Sequence, residues 1–189
     1  MPSALHTALL FLINTVFDLY LFVLALRLIL VWSGAHYQNP LVQFVVAFTD
    51  VLVKPLRRYL PNYHGIEFAT VSLILLIDII RFFIVVWLDI KFPHLPGIII
   101  MAMGDFLKLI LNTLFYAIFL QVIISWIQPT SYMNTMLSQI TAPLMRPFQK
   151  HIPPVNGFDL SPIPALIILQ LFIILLATPI INLGLGVAL

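Results

Sequence analysis

Thr49-Asp-Val-Leu-Val-Lys54-Pro-Leu-Arg57-Arg58-Tyr-Leu-Pro61-Asn-Tyr-His-Gly65-Ile-Glu67 returns in register as Thr141-Ala-Pro-Leu-Met-Arg146-Pro-Phe-Gln149-Lys150-His-Ile-Pro153-Pro-Val-Asn-Gly157-Phe-Asp159. The offset is a constant 92 residues, Thr49 to Thr141. Thr, Leu, Pro, Pro and Gly are kept, and Lys54/Arg146, Arg58/Lys150 and Glu67/Asp159 keep their charge. Each copy lies between two long apolar runs. The repeating unit is therefore an apolar helix, a basic proline-punctuated segment and a second apolar helix. A period this long means two copies of one hairpin, not a solenoid of short repeats.

Composition places the unit in lipid. Hydrophobic residues are 62% of the chain and charged residues 8%, against roughly 45–50% and roughly 25% in soluble domains. The 189 residues supply about four spans of ~20 residues with their connections. The start, Met1-Pro-Ser-Ala-Leu-His-Thr, lacks the basic region of a secretory signal, and its apolar run continues to Trp32. It reads as a retained first span. With no cysteine, disulfides, thiolate metal sites and thiol nucleophiles are excluded.

These features predict an all-α membrane protein of four transmembrane helices, arranged as two tandem parallel-repeat hairpins. The first hairpin covers residues 1–97, with spans at about 5–32 and 68–88; the second covers 98–189, with spans at about 106–126 and 163–183. Gly104-Asp105 offers a break ahead of the third span, since Asp caps helices and Gly weakens their interiors. Ile98–Met103 would then lie at the interface or dip partway into the membrane. The two repeated connections hold Lys54, Arg57, Arg58, Arg146 and Lys150, five of the nine Lys and Arg residues, whereas the opposite side has Lys91 beside Asp89. Basic connections stay in the cytoplasm, which predicts that both repeated segments face inward and both termini face outward. Hairpins of the same sense are related by an axis along the membrane normal, which disfavours alternating access built on inverted repeats.

Each connection also predicts an interfacial amphipathic helix. Asn39-Pro40 is a helix start, with Asn as cap and Pro at the first position. In the second copy Leu137, Ile140, Leu144 and Phe148 recur at helical spacing, with Ser138, Gln139 and Thr141 elsewhere. Pro55 and Pro147 are expected to end or kink these helices. The basic residues beside them would then meet headgroups at about 1 kcal/mol each against anionic lipid. Pro61 and Pro153, then Gly65 and Gly157, give the turn back into the membrane. Glu67 and Asp159 suit the positive helix N-termini of spans two and four.

Ionisable groups in lipid face the protein interior and pair with one another. Asp18 lies 14 residues from Trp32, and Arg81 lies 13 from Phe68, so both are about 20 Å deep. They are expected to form an interhelical salt bridge, with Asp78 one turn before Arg81 on the same face. Arg27 can snorkel to the near surface or reach toward Asp78. Asp78 corresponds to Gln170 at the same offset of 92, and Arg27 to Gln121 at 94 through a connection two residues shorter, so both hairpins are expected to turn polar faces toward a common interior. Asp105 and Lys108 read as a cap and an i,i+3 pair. Polar glue between helices accounts for this network more simply than a proton or cation path through Asp18 and Asp78.

No HExxH, GxSxG, P-loop or GxGxxG occurs. The five histidines, at 6, 36, 64, 94 and 151, lack ligand spacing. No enzyme, cofactor, metal or nucleic-acid partner is indicated.

Tyr37-Gln-Asn-Pro40, Phe44-Val-Val, Lys54-Pro-Leu-Arg-Arg58, Pro61 and Gly65-Ile-Glu-Phe68, with Thr141-Ala-Pro-Leu-Met-Arg-Pro147 and Gly157-Phe-Asp159-Leu-Ser-Pro162, resemble the YggT family, also known as YlmG, in its two-copy bacterial form. The resemblance implies a small inner-membrane protein without established enzymatic activity. It also implies links to cell division and to envelope or osmotic stress, and plastid relatives connected with cytochrome assembly and nucleoid distribution. The second copy departs from the pattern with Ser131-Tyr132 for Asn39-Pro40 and Gln149 for Arg57, which favours the first copy as a binding surface. The expected function is a non-enzymatic scaffold or assembly factor. Its basic segments would engage membrane lipid and a protein partner in the inner membrane or cytoplasm; a homo-oligomer is compatible with this. The alternative is small-ion or solute transport through the polar residues between the hairpins.

Overall fold

A computed structural model describes residues 4–34, 40–63, 65–90, 92–152 and 159–189. All regular elements among them are helical: α1 (Ala4–Trp32), α2 (Pro40–Arg57), α3 (Phe68–Ile90), α4 (Leu95–Ile127), α5 (Tyr132–His151), α6 (Pro162–Phe172), a π turn (Ile173–Ala177) and α7 (Thr178–Ala188). Four stretches are long and apolar enough to cross a membrane: Ala4–Trp32, Phe68–Leu88, Leu95–Ile127 and Pro162–Ala188. The protein is a multi-pass membrane protein.

The third span differs from expectation. Gly104-Asp105 does not break it, and α4 runs unbroken for 33 residues, about 50 Å at ~1.5 Å per residue. Ile98, Met101 and Ala102 of the stretch ahead of it are part of this helix and buried. Gly104 serves close approach: a Cβ there would come within 2.8 Å of Ile181 Cγ1. Nearer the helix start Gly97 meets Gly184 and Ala188 of α7, and a Cβ on Gly184 would fall 2.6 Å from the Met101 nitrogen. Lipid is as apolar as leucine, so helices in it associate through packing, and small residues let their backbones touch. The α4–α7 contact is accordingly the most extensive in the molecule. His94 N donates to Ala188 O at 3.1 Å, fastening its end.

The last span contains Pro179 near the start of α7, where a missing N–H would leave a carbonyl unmatched in lipid. A π turn lies just before it, where the Thr178 N–H and Oγ1 both donate to Ile173 O, the hydroxyl at 2.9 Å.

Helices α2 and α5 each bury one face. Val42, Val45, Thr49 and Val53 point inward from α2, and Met136, Leu137, Ile140, Thr141 and Met145 from α5. Val42, Val45, Met136, Leu137 and Ile140 share one core with Ile29 and Leu30 of α1 and Ala117 of α4, which sets both helices at the same end of the bundle. Pro55 and Pro147 lie inside their helices and end neither. Each sits in or near the last turn, where the one amide lost to proline is a small part of the ladder. Thr141 belongs to the buried face and not the polar one. Ser131 replaces the Asn39 signal effectively, accepting from Asn134 N at 3.1 Å as N-cap. Gly65 adopts φ 80° at the return turn, in the region that favours glycine. The Asn39 cap, the Pro153 and Gly157 turn, Lys91 and the Asp89 side chain fall outside the described residues.

Replacing Gly184 with valine is expected to cost about 1–3 kcal/mol or more through overpacking, measured by unfolding in mixed micelles. Gly186, with open space around its Cα, should tolerate the same change within about 1 kcal/mol of helix-propensity effects.

Candidate functional site

Two charge clusters tie the spans together. At the α2 end, Arg27 of α1 is 2% exposed and neither snorkels to water nor approaches Asp78. Its Nε and Nη2 donate to the two oxygens of Glu67 at 2.6 and 3.0 Å. Its Nη1 donates to Thr49 Oγ1 at 2.8 Å and to Asp50 Oδ1 at 2.7 Å. Thr49 passes its own hydrogen to Val45 O at 2.6 Å, and Thr70 donates to Glu67 at 2.6 Å. One guanidinium thus holds α1, α2 and the entry of α3. Glu67 outcompetes Asp78 for Arg27 because it sits at the adjoining helix entry, whereas Asp78 lies a further three turns into the membrane.

Burial pushes the Glu67 carboxyl up. Hydrogen bonds from Arg27 and Thr70 and the charges of Arg27 and Arg57 outweigh this and hold it below its ordinary value. Arg57 Nε is 3.8 Å from the same carboxylate.

The second cluster surrounds Arg81. Asp18 pairs with it, as their matched depth predicts. Asp78 follows at 3.1 Å on the same helix. Asp105 also joins, at 2.8 Å, and is neither a cap nor explained by Lys108. Because α4 continues past Asp105 in both directions, this carboxylate sits at Arg81's depth. The Phe82 ring lies 4.4 Å from the guanidinium carbon. Asp78 is 0% exposed, and neither of its oxygens accepts a hydrogen bond. A cavity of about 470 Å³ adjoins the cluster, lined by Asn14, Asp18, Arg81, Asp105, Lys108 and Tyr116 among others.

The second half is built from amides. The Thr141 hydroxyl donates to Gln121, and Gln149 Nε2 donates to Asp159 Oδ2 at 3.1 Å. Gln170 does not face a common interior; it is exposed on the outer side of α6. The apolar α6 packs on α4 through Ala165 and Leu169 instead, which turns Gln170 outward.

Lys54, Arg57, Arg58, Arg146 and Lys150 are all exposed. Lys54 and Arg58, one turn apart, line a shallow cleft of about 360 Å³ with Asp50 and Pro55. No group of three or more His, Cys, Asp or Glu among the described residues could hold a metal ion.

The CCB3/YggT family model matches residues 6–88 and 100–180. The chain belongs to the CCB3/YggT family. An uncharacterised Pseudomonas aeruginosa protein is 35% identical over 88% of this chain and 87% of its own length. Escherichia coli K12 YggT, also uncharacterised, is 34% identical over 87% and 85%. A Vibrio alginolyticus protein is 31% identical over 85% and 88%. No solved structure matches.

Sequence reasoning placed Glu67 only at a helix N-terminus and set Thr49 aside. The signal for Thr49 was present: a polar residue kept at both Thr49 and Thr141 within otherwise apolar helix faces.

Removing one partner of a buried ion pair costs about 3–5 kcal/mol. Arg27→Met should therefore destabilise by that amount, and Arg27→Met with Glu67→Gln by distinctly less, as read in a double-mutant unfolding cycle. Because the Glu67 carboxyl titrates below its unfolded value, its stabilisation is complete above the ordinary glutamate range. It disappears as pH falls through the lower folded value. Glu67→Gln should flatten that acid limb in unfolding measured against pH.

Proposed function

We propose that this protein is a non-enzymatic inner-membrane scaffold, built from tandem hairpins at 1–97 and 98–189 with both termini periplasmic. Its helices α2 and α5 rest in the cytoplasmic interface and engage lipid headgroups together with a cell-division, envelope-stress or membrane-assembly partner. The observation that carries this is the way α2 is held. Arg27 and the Val42–Val53 face fix one side of the helix, leaving Lys54 and Arg58 directed outward around a cleft. Exposed Phe44, Phe48, Val51 and Leu52 flank that cleft with apolar surface, suited to the acyl boundary. A cleft bearing two cations and one acid has a net positive charge and suits a phosphate.

Neutralising Lys54 and Arg58 to glutamine should weaken binding to anionic vesicles by about 1 kcal/mol per residue and reduce partner recovery after crosslinking from these positions. Unchanged vesicle binding together with unchanged recovery rejects the scaffold.

Ion transport is the second reading, and a specific feature favours it. Asp18, Asp78 and Asp105 supply three carboxylates against Arg81 and Lys108, which leaves one negative charge in excess within the membrane. Such a surplus calls for a proton or small cation. Flux into reconstituted vesicles that is abolished by Asp78→Asn and indifferent to Lys54/Arg58 neutralisation would favour transport. Absence of flux in the unaltered protein removes that reading.

A further inference from the structure

Glu67, at the entry of α3, is served by two arginines, Arg27 and Arg57. The 92-residue offset places Asp159 at its position in the second half and Gln149 at that of Arg57, while Gln121 corresponds to Arg27 at 94, the second connection being two residues shorter. Two of the three links persist with glutamine in place of arginine: Gln121 with Thr141 as Arg27 with Thr49, and Gln149 with Asp159 as Arg57 with Glu67. The third, Arg27 to Glu67, has no counterpart. Glutamine is shorter than arginine and aspartate shorter than glutamate, so both ends withdraw. Gln121 and Asp159 instead line a cavity of about 350 Å³, together with Ser125, Trp126, Pro129 and Asn134.

The chemistry of that cavity is one-sided. Asp159 is the charged group in its lining, and among the described residues it forms no ion pair. The Ser161 N–H donates to its Oδ1 at 2.9 Å and fixes the carboxylate at the start of α6. Asn134 Oδ1 is buried without a hydrogen-bond partner. Ser125 gives its hydrogen to Val122 O at 2.8 Å, which leaves oxygen lone pairs for a donor. The Trp126 indole adds an aromatic surface, which attracts cations. Among the described residues, a carboxylate, an amide oxygen and a hydroxyl oxygen form an acceptor set with no cation in its lining.

We propose that this cavity binds an organic cation, a guanidinium or primary ammonium group, where the first half carries Arg27. A volume of about 350 Å³ is at the small end of the ~300–1,000 Å³ range of ligand sites. An anion is disfavoured by Asp159, and the buried Asn134 oxygen asks for an N–H donor. The cation comes either from a soluble amine or from the ammonium of a phosphatidylethanolamine headgroup, whose chemistry is shared.

The test uses the full chain in phosphatidylglycerol nanodiscs, titrated calorimetrically and by thermal unfolding with methylguanidinium and ethylammonium chloride. Methylurea and matched sodium chloride are the neutral and ionic-strength controls. Either organic cation should bind and raise the unfolding temperature, with no effect from the controls. Asp159→Asn should weaken binding about 10- to 100-fold, the equivalent of one charged hydrogen bond. Gln121→Arg should remove binding and raise the unfolding temperature without ligand, because it supplies the missing guanidinium in cis. That stabilisation also shows the variant to be folded. Adding phosphatidylethanolamine to the nanodiscs distinguishes the sources: competition with methylguanidinium assigns the site to the lipid, and undisturbed binding assigns it to a soluble amine. Equal responses in the unaltered protein and both variants, or no binding in any of them, overturn the proposal.

Discussion

A guanidinium buried at the end of the first span is the constraint on which the α2 end of this molecule depends. Taking an ion of that size out of water costs several kcal/mol even after relaxation, and the cost is met only where its donors all find acceptors. Arg27 reaches Glu67 through two nitrogens and Thr49 and Asp50 through the third. Those acceptors come from different elements, so satisfying the charge requires α1, α2 and the α3 entry to meet in one arrangement. Lysine could not do this, since a single ammonium lacks the planar fork that takes Glu67 bidentately. The apolar face of α2 would pack in several rotations; the guanidinium selects one and thereby sets which residues look outward.

The opposite end relies on different physics. Gly97, Gly104 and Gly184 bring α4 and the last span into backbone contact, where dispersion and shape replace the hydrophobic effect that lipid does not provide. The π turn before Pro179 keeps that span continuous. Between these two regions lies Arg81, which draws carboxylates from α1, α3 and α4. The membrane core is thus joined by close packing on one side and by charge through its middle.

Much of this was legible in the residues, for identifiable reasons. Apolar run length gave the four spans, and the equal depth of Asp18 and Arg81 gave their pairing. Depth counting failed for Asp105 because Gly104-Asp105 resembled a helix start; glycine's weak propensity was overridden by tertiary contact with Ile181. Gln170 was misjudged because register identifies equivalent positions without fixing how each helix rotates against its neighbours. Arg27 had a correct depth but the wrong partner, since Glu67 lies before its span and proximity across a connection leaves no periodic signal.

The two halves consequently differ in their polar layer. In the first, α2 is locked by a buried charge whose removal leaves an unpaired ion; in the second, α5 is held by a hydroxyl–amide bond to Gln121 and an exposed amide–carboxylate bond to Asp159. Matching apolar faces seat both helices, so the difference lies in the polar layer alone. The guanidinium fixes the rotation of α2, whereas the rotation of α5 is set by its buried apolar face and by amide contacts.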